Sequence, residues 1–98
     1  MTISIVPEQL TAVAPDGSPM GRIEFPRIRR GLVNIRRVTV APAFRHQGVE
    51  DAMLAALLAH LAEENQKAVL ADPCAQRYVA RNPQWKAILP DGITGVTH

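Results

Sequence analysis

The sequence predicts an α/β (α+β) domain in which an antiparallel meander leads into a parallel strand-helix-strand crossover and a short C-terminal helix. Three observations carry this. Apolar residues alternate in short runs, punctuated by Pro and Gly, up to Ala41. A single long 3.6-residue periodicity then covers Val49 to Leu61. A continuous apolar stretch, Lys67 to Ala71, follows at once and meets an Asp-Pro pair that opens a further helix.

Met1 to Ala14 alternates weakly through Ile3, Val6 and Leu10 to Val13, giving one or two short strands, with Pro7 as an interruption suited to an edge. Pro15-Asp16-Gly17-Ser18 is a turn, because Pro presets the first dihedral and Gly accepts positive φ. Pro19 to Phe25 alternates around Met20, Ile23 and Phe25 and is the returning strand of a hairpin. Pro26 to Gly31 is the next reversal, and Leu32 to Ala41 is a strand carrying Leu32, Val33, Ile35, Val38 and Val40.

Pro42 and Gly48 bracket a loop, and the helix is expected to begin near Gln47 or Gly48. Val49, Met53, Leu54, Leu57, Leu58 and Leu61 fall on one half of its cylinder, the half that packs on the sheet. Ala52, Ala55, Ala59 and Ala62 occupy the other half, which reflects helix propensity or the close approach of a second chain. A monomer or a weak homodimer is expected. His60 is expected at the edge of the core, partly buried. Glu63 to Gln66 ends the helix. A right-handed crossover then makes the Lys67 to Ala71 strand parallel to the one before the helix. Asp72 caps the second helix, which runs through Tyr78 and stops at Asn82-Pro83. Gln84 to Leu89 adds about one turn, bringing Trp85 and Ile88 to the core. Pro90-Asp91-Gly92 breaks it, and Ile93 to His98 is expected as a loose tail.

Ninety-eight residues make one domain, 1–98, and with only four aromatics the core must be aliphatic and alanine-rich. The formal net charge is +2, yet six of the eleven basic residues lie at Arg22, Arg27, Arg29, Arg30, Arg36 and Arg37. A hairpin with charged outward faces explains this bias. A nucleic-acid surface is the alternative, with no interleaved aromatic beyond Phe25 to favour it. One cysteine excludes an internal disulfide framework and suits a reducing compartment, so a cytoplasmic location is expected. No apolar run approaches the roughly 20 residues that cross a bilayer, and neither a membrane partner nor a metal site is expected.

The stretch Val38 to Leu61 concentrates the functional interest. A strand feeding a helix N-terminus presents unpaired N–H groups and the positive end of the helix dipole, a place that binds phosphates. Its residues Val40-Ala41-Pro42-Ala43-Phe44-Arg45-His46-Gln47-Gly48-Val49 resemble the acyl-CoA signature of GNAT-type acetyltransferases, R-x-x-G-x-G/A after an apolar strand. Gln66-Lys67-Ala68-Val69 and Tyr78-Val79-Ala80-Arg81-Asn82-Pro83 make the chain similar to the minimal, roughly hundred-residue branch, over about Gln9 to Leu89. The resemblance implies acetyl-CoA in a cleft between two splayed parallel strands. Backbone amides from Arg45, His46, Gln47, Gly48, Val49 and Glu50 would hold its pyrophosphate, and Val38 and Val40 its pantetheine arm. An amine acceptor would enter from the other side.

Three positions depart from the family pattern. Arg37-Val38 stands where the family has histidine and threonine, and arginine does not act as a base. Glu50 stands where a small residue admits phosphates; two like charges 4 Å apart at an effective dielectric constant of 20 cost on the order of 4 kcal/mol. Asp72 aligns with the family cysteine, and Cys74 follows two positions later. Asp72 and Cys74 are therefore the candidate catalytic residues, each with an alternative structural role as helix cap and as small buried side chain. Two functions follow as expectations: an acetyl-CoA-dependent N-acetyltransferase, or a binding protein that keeps the fold without the chemistry.

Overall fold

Seven strands and two helices account for most of residues 1–90, which the computed structural model describes. The expected break at Asp91-Gly92 and tail at Ile93 to His98 lie outside the described residues. Strands β1 (Thr2–Val6), β2 (Gln9–Val13) and β3 (Pro19–Glu24) form the start of the meander, and β4 (Arg27–Arg29), β5 (Leu32–Ile35) and β6 (Arg37–Val40) complete it. A 3₁₀ turn at Pro42–Phe44 precedes α1 (Val49–Glu63). The chain then forms β7 (Lys67–Leu70), α2 (Pro73–Arg81) and a second 3₁₀ segment, Pro83–Ile88.

Hydrogen bonding orders the strands β1-β2-β3-β6 and β4-β5-β7. These two sheets are halves of one surface, because β3 runs on toward β4 as β5 runs on toward β6. The amides of Asn34 and Arg36 donate across the joint to the carbonyls of Pro26 and Glu24, each at 2.9 Å. The single strand expected over Leu32 to Ala41 is thus divided at Arg36. The expected reversal at Pro26 to Gly31 contains β4; the turn proper is at Arg30 and Gly31, where Gly31 adopts φ +78°. The crossover is as expected, with β5 parallel to β7 in register from Leu32↔Lys67 to Ile35↔Leu70.

α1 holds the two halves together. Its buried residues are Val49, Met53, Leu54, Leu57, Leu58 and Leu61, the half-cylinder that periodicity assigns to the sheet. They pack with Leu10, Ile23, Ile35, Ala68 and Val79 in one apolar cluster. Full burial of each leucine stabilises the fold by about 1.5–3 kcal/mol. Ala52, Ala55 and Ala59 are half-buried, and so is His60. Ile88 is buried, whereas Trp85 only packs against the cluster from its edge.

The close seating of α1 depends on Gly21 in β3. A Cβ there would meet Met53 Cε and the Thr39 carbonyl oxygen, both at 2.8 Å. Met53 can swing away, but a backbone oxygen inside the β3–β6 ladder cannot. Gly21→Ala is expected to cost about 1–3 kcal/mol through overpacking. In urea this reads as a lower midpoint with an unchanged slope, and an unchanged midpoint would show that the ladder absorbs the methyl group.

Candidate cofactor site

The site begins where two strands part. β5 and β7 run side by side to Ile35 and Leu70, and the Ile35 carbonyl accepts from both the Ala71 and Asp72 amides at 3.1 Å. Beyond that point the chain after β7 turns into α2, while among the described residues β6 pairs only with β3, from Glu24↔Arg37 to Gly21↔Val40. Among the described residues no strand pairs with the other edge of β6. Val38 turns its N–H to this edge, and the alternation of a strand places the Val40 peptide on the same side.

Asp72 stands at the apex of the notch. One carboxylate oxygen accepts from the Cys74 amide at 2.7 Å, capping α2, and the other accepts from the Val38 amide at 3.0 Å. The cap is the one expected from Asp-Pro. The bond to Val38 joins residues 34 positions apart, and no local sequence signal announces it. With both oxygens engaged, Asp72 takes the place that a neighbouring strand would fill at Val38.

The loop above the free edge is built from backbone geometry. Phe44 is half-buried and anchors the 3₁₀ turn, while Arg45, His46, Gln47 and Gly48 are exposed. His46 and Gly48 adopt φ +64° and +76°, so the chain doubles back sharply into α1. Gly48 is the N-cap residue, and no side chain accepts from the first-turn amides. These amides and the helix dipole therefore face outward, the arrangement that attracts anions. Gln47 only reaches back to the Ala43 carbonyl at 3.4 Å.

One acid of the first turn is held by α2. Asp51 accepts from Arg81 at 3.1 Å, a pair that ties α1 to α2 and that sequence order did not reveal. Glu50 is half-buried, and its charge reaches Cys74. Burial, followed by the charges of Glu50 and Asp72, pushes the Cys74 thiol above its ordinary range. Cys74 is thus a protonated thiol at neutral pH, the opposite of an activated nucleophile. Among the described residues no group of three or more His, Cys, Asp or Glu side chains has the geometry to hold a metal.

A hollow of about 510 Å³ lies at the other end of α1, among Phe25, Arg27, His60, Glu64 and Gln66.

A family model of GCN5-related N-acetyltransferases matches residues 10–88. The chain belongs to the GCN5-related N-acetyltransferase family. Among solved structures it resembles a GCN5-like N-acetyltransferase from Staphylococcus aureus, determined by NMR. That match has TM-score 0.72 and 17% identity, over 91% of this chain and 87% of that one. Ard1 from Thermoplasma volcanium gives TM-score 0.61 at 24% identity, over 76% of this chain and 53% of that one. An acyl-CoA N-acyltransferase from Klebsiella pneumoniae gives 0.58 at 20%, over 87% and 66%. At these identities the likeness shows the GNAT fold. The chain spans about half the length of the larger family structures such as Ard1. No curated protein matches the sequence. No described helix is long and apolar enough to cross a membrane.

The surroundings of Cys74 make a measurable expectation. Iodoacetamide should modify it slowly near neutral pH, with the rate climbing only in more alkaline solution than a free thiol requires. Glu50→Ala removes a charge that keeps the proton on sulfur, so it should speed alkylation at fixed pH. A rate at pH 7.5 equal to that of a small-molecule thiol would show that the acids do not act on it.

Proposed function

We propose that this GNAT-family protein is an acyl-CoA-dependent N-acetyltransferase, with its cofactor lane along the free edge of β6 and its phosphate seat at the start of α1. The observation that carries the reading is the parting of β6 from β7 directly beneath a helix N-terminus that no side chain caps. The donor set fits a nucleotide thioester. Backbone amides of Arg45, His46, Gln47, Gly48, Val49 and Glu50 suit a pyrophosphate, with Arg45 adding positive charge. The Val38 and Val40 edge suits a linear amide chain, which pairs with a strand as a further strand does. Acetyl-CoA, when bound, supplies an acetyl group already activated as a thioester.

The chain's own contribution is chiefly positioning. Asp72 is held by two amides and Cys74 is protonated, so neither offers a free base. Arg37 projects at the joint of β5 and β6, where the family pattern has histidine. As a fixed cation it disfavours a charged ammonium beside it and so favours an amine that arrives neutral. Proton removal then falls to solvent and not to a dedicated side chain.

A second reading, a GNAT-fold binding protein without catalysis, is favoured by one feature: the Asp72 carboxylate already occupies the Val38 amide. Acetyl-CoA separates the two. For a dissociation constant tenfold below 1 mM, ligand at 1 mM should stabilise the fold by about 1.4 kcal/mol. For a domain of this size that raises Tm by roughly 5–10 °C. Glu50→Ala should enlarge the shift by removing a carboxylate from the phosphate seat. No shift at millimolar acetyl-CoA removes the cofactor from this site.

A further inference from the structure

Among the described residues the two halves of the sheet end on β1 and β6 and on β4 and β7. Three of these edges are shortened, charged or partly covered, the usual protections of an exposed strand. At β6 the Asp72 carboxylate accepts from the Val38 amide. β4 is only three residues long, all exposed and two of them arginine. β7 opens on the charged Lys67, and the Gln76 side chain donates to its Leu70 carbonyl at 2.8 Å. β1 differs. Its residues Thr2-Ile3-Ser4-Ile5-Val6 include no charge, glycine or proline, and among the described residues its outer edge pairs with no strand.

The strand also reads almost the same in both directions about Ser4. Ile3 and Ile5 flank it, and the β-branched Thr2 and Val6, alike in shape, flank those. Register on β2 sets Ile3 beside Ala12 and Ile5 beside Leu10, both buried, so the two isoleucines lie on the α1 side of the sheet. They are only half-buried and border the core cluster. Thr2, Ser4 and Val6 lie on the other face and are exposed, Val6 at 55%. Two such strands, paired antiparallel about a two-fold axis at Ser4, set Ile3 against the partner's Ile5 and Thr2 against the partner's Val6. The apolar layer beneath α1 then continues from one copy into the next, and no like charges meet. A contact between identical copies needs this self-complementarity, whereas a strand from a different protein makes no use of it.

Pairing across β1 leaves the proposed cofactor lane untouched. In the order β1-β2-β3-β6 the lane strand is at the opposite edge, roughly 14 Å from β1 at about 4.8 Å per step. The two lanes of a pair therefore lie on the outermost edges of the joined sheet, and self-association is independent of the acyltransferase reading. A contact between two strands of this length is smaller than the ~1,200 Å² of a stable interface, so it is weak and reversible.

We infer that β1 is a self-association edge, pairing antiparallel with β1 of a second copy of this chain about a two-fold axis at Ser4. Sedimentation equilibrium of the full chain between about 10 µM and about 1 mM should show the average mass climbing from one chain toward two, as a weak contact requires. In ¹⁵N spectra over the same range, the amides of Ile3, Ser4 and Ile5 should shift with concentration. Ser4→Lys sets like charges opposite each other at the axis and should abolish both effects, the same spectra reporting that the variant is folded. In a Cys74→Ser background, Ser4→Cys brings two sulfurs face to face, whereas Val6→Cys leaves its two Cα atoms about 14 Å apart, beyond the ~7 Å that a disulfide spans. Mild oxidation should therefore link Ser4→Cys at least ~10-fold faster than Val6→Cys. A single-chain mass at the highest concentration, undiminished association in Ser4→Lys, or equal linking rates would overturn the inference. So would β1 amides that never move with concentration.

Discussion

The proposed function rests on a strand that changes partners. Up to Ile35 the central strand lies between β4 and β7, as an ordinary sheet member. From Arg37 onward it keeps, among the described residues, a partner on one side only. The joint at Arg36 is what allows this, because the Arg36 amide still bonds to Glu24 while the next stretch re-registers on β3. An unpaired strand edge inside a small domain exposes backbone donors that must be satisfied by something. Here part of that demand is met by Asp72.

The same helix answers two unrelated demands. Its Leu and Met half closes the core, and its N-terminus, uncapped by any side chain, is the proposed phosphate seat. Those demands are compatible because the first turn begins at Val49, a core residue, with Gly48 in a left-handed conformation just before it. Glu50 and Asp51 then fall on the flank toward α2. Arg81 neutralises one of them, while the other bears on Cys74. In this way Asp51 ties the two helices together while no side chain caps the first-turn amides of α1.

What could be read from the residues divides along physical lines. The α1 core face, the Asp72 cap and the parallel crossover are products of local periodicity, side-chain chemistry and chain handedness, all of which a sequence carries directly. The division of Leu32 to Ala41 was not legible, since both halves are rich in β-branched residues and differ only in their neighbours. Nor were the Asp72–Val38 and Arg81–Asp51 contacts, which join residues 34 and 30 positions apart. Of the candidate site, the loop from Arg45 to Glu50 was visible because glycine and the helix start are local signals. The carboxylate at its apex had a visible cap role and a hidden second bond. The short strand β4 was concealed for a similar reason: three exposed residues, two of them arginine, look like a turn until β5 is laid beside them.

Asp72 serves two clients with one side chain, and this makes the edge and the second helix interdependent. Anything that wins the Val38 amide must first prise away an oxygen whose twin secures the beginning of α2. The displaced group then either keeps its hold on Cys74 alone or lets the helix fray. A ligand in the proposed lane would thereby be linked mechanically to the firmness of α2, through a single carboxylate and without any moving domain.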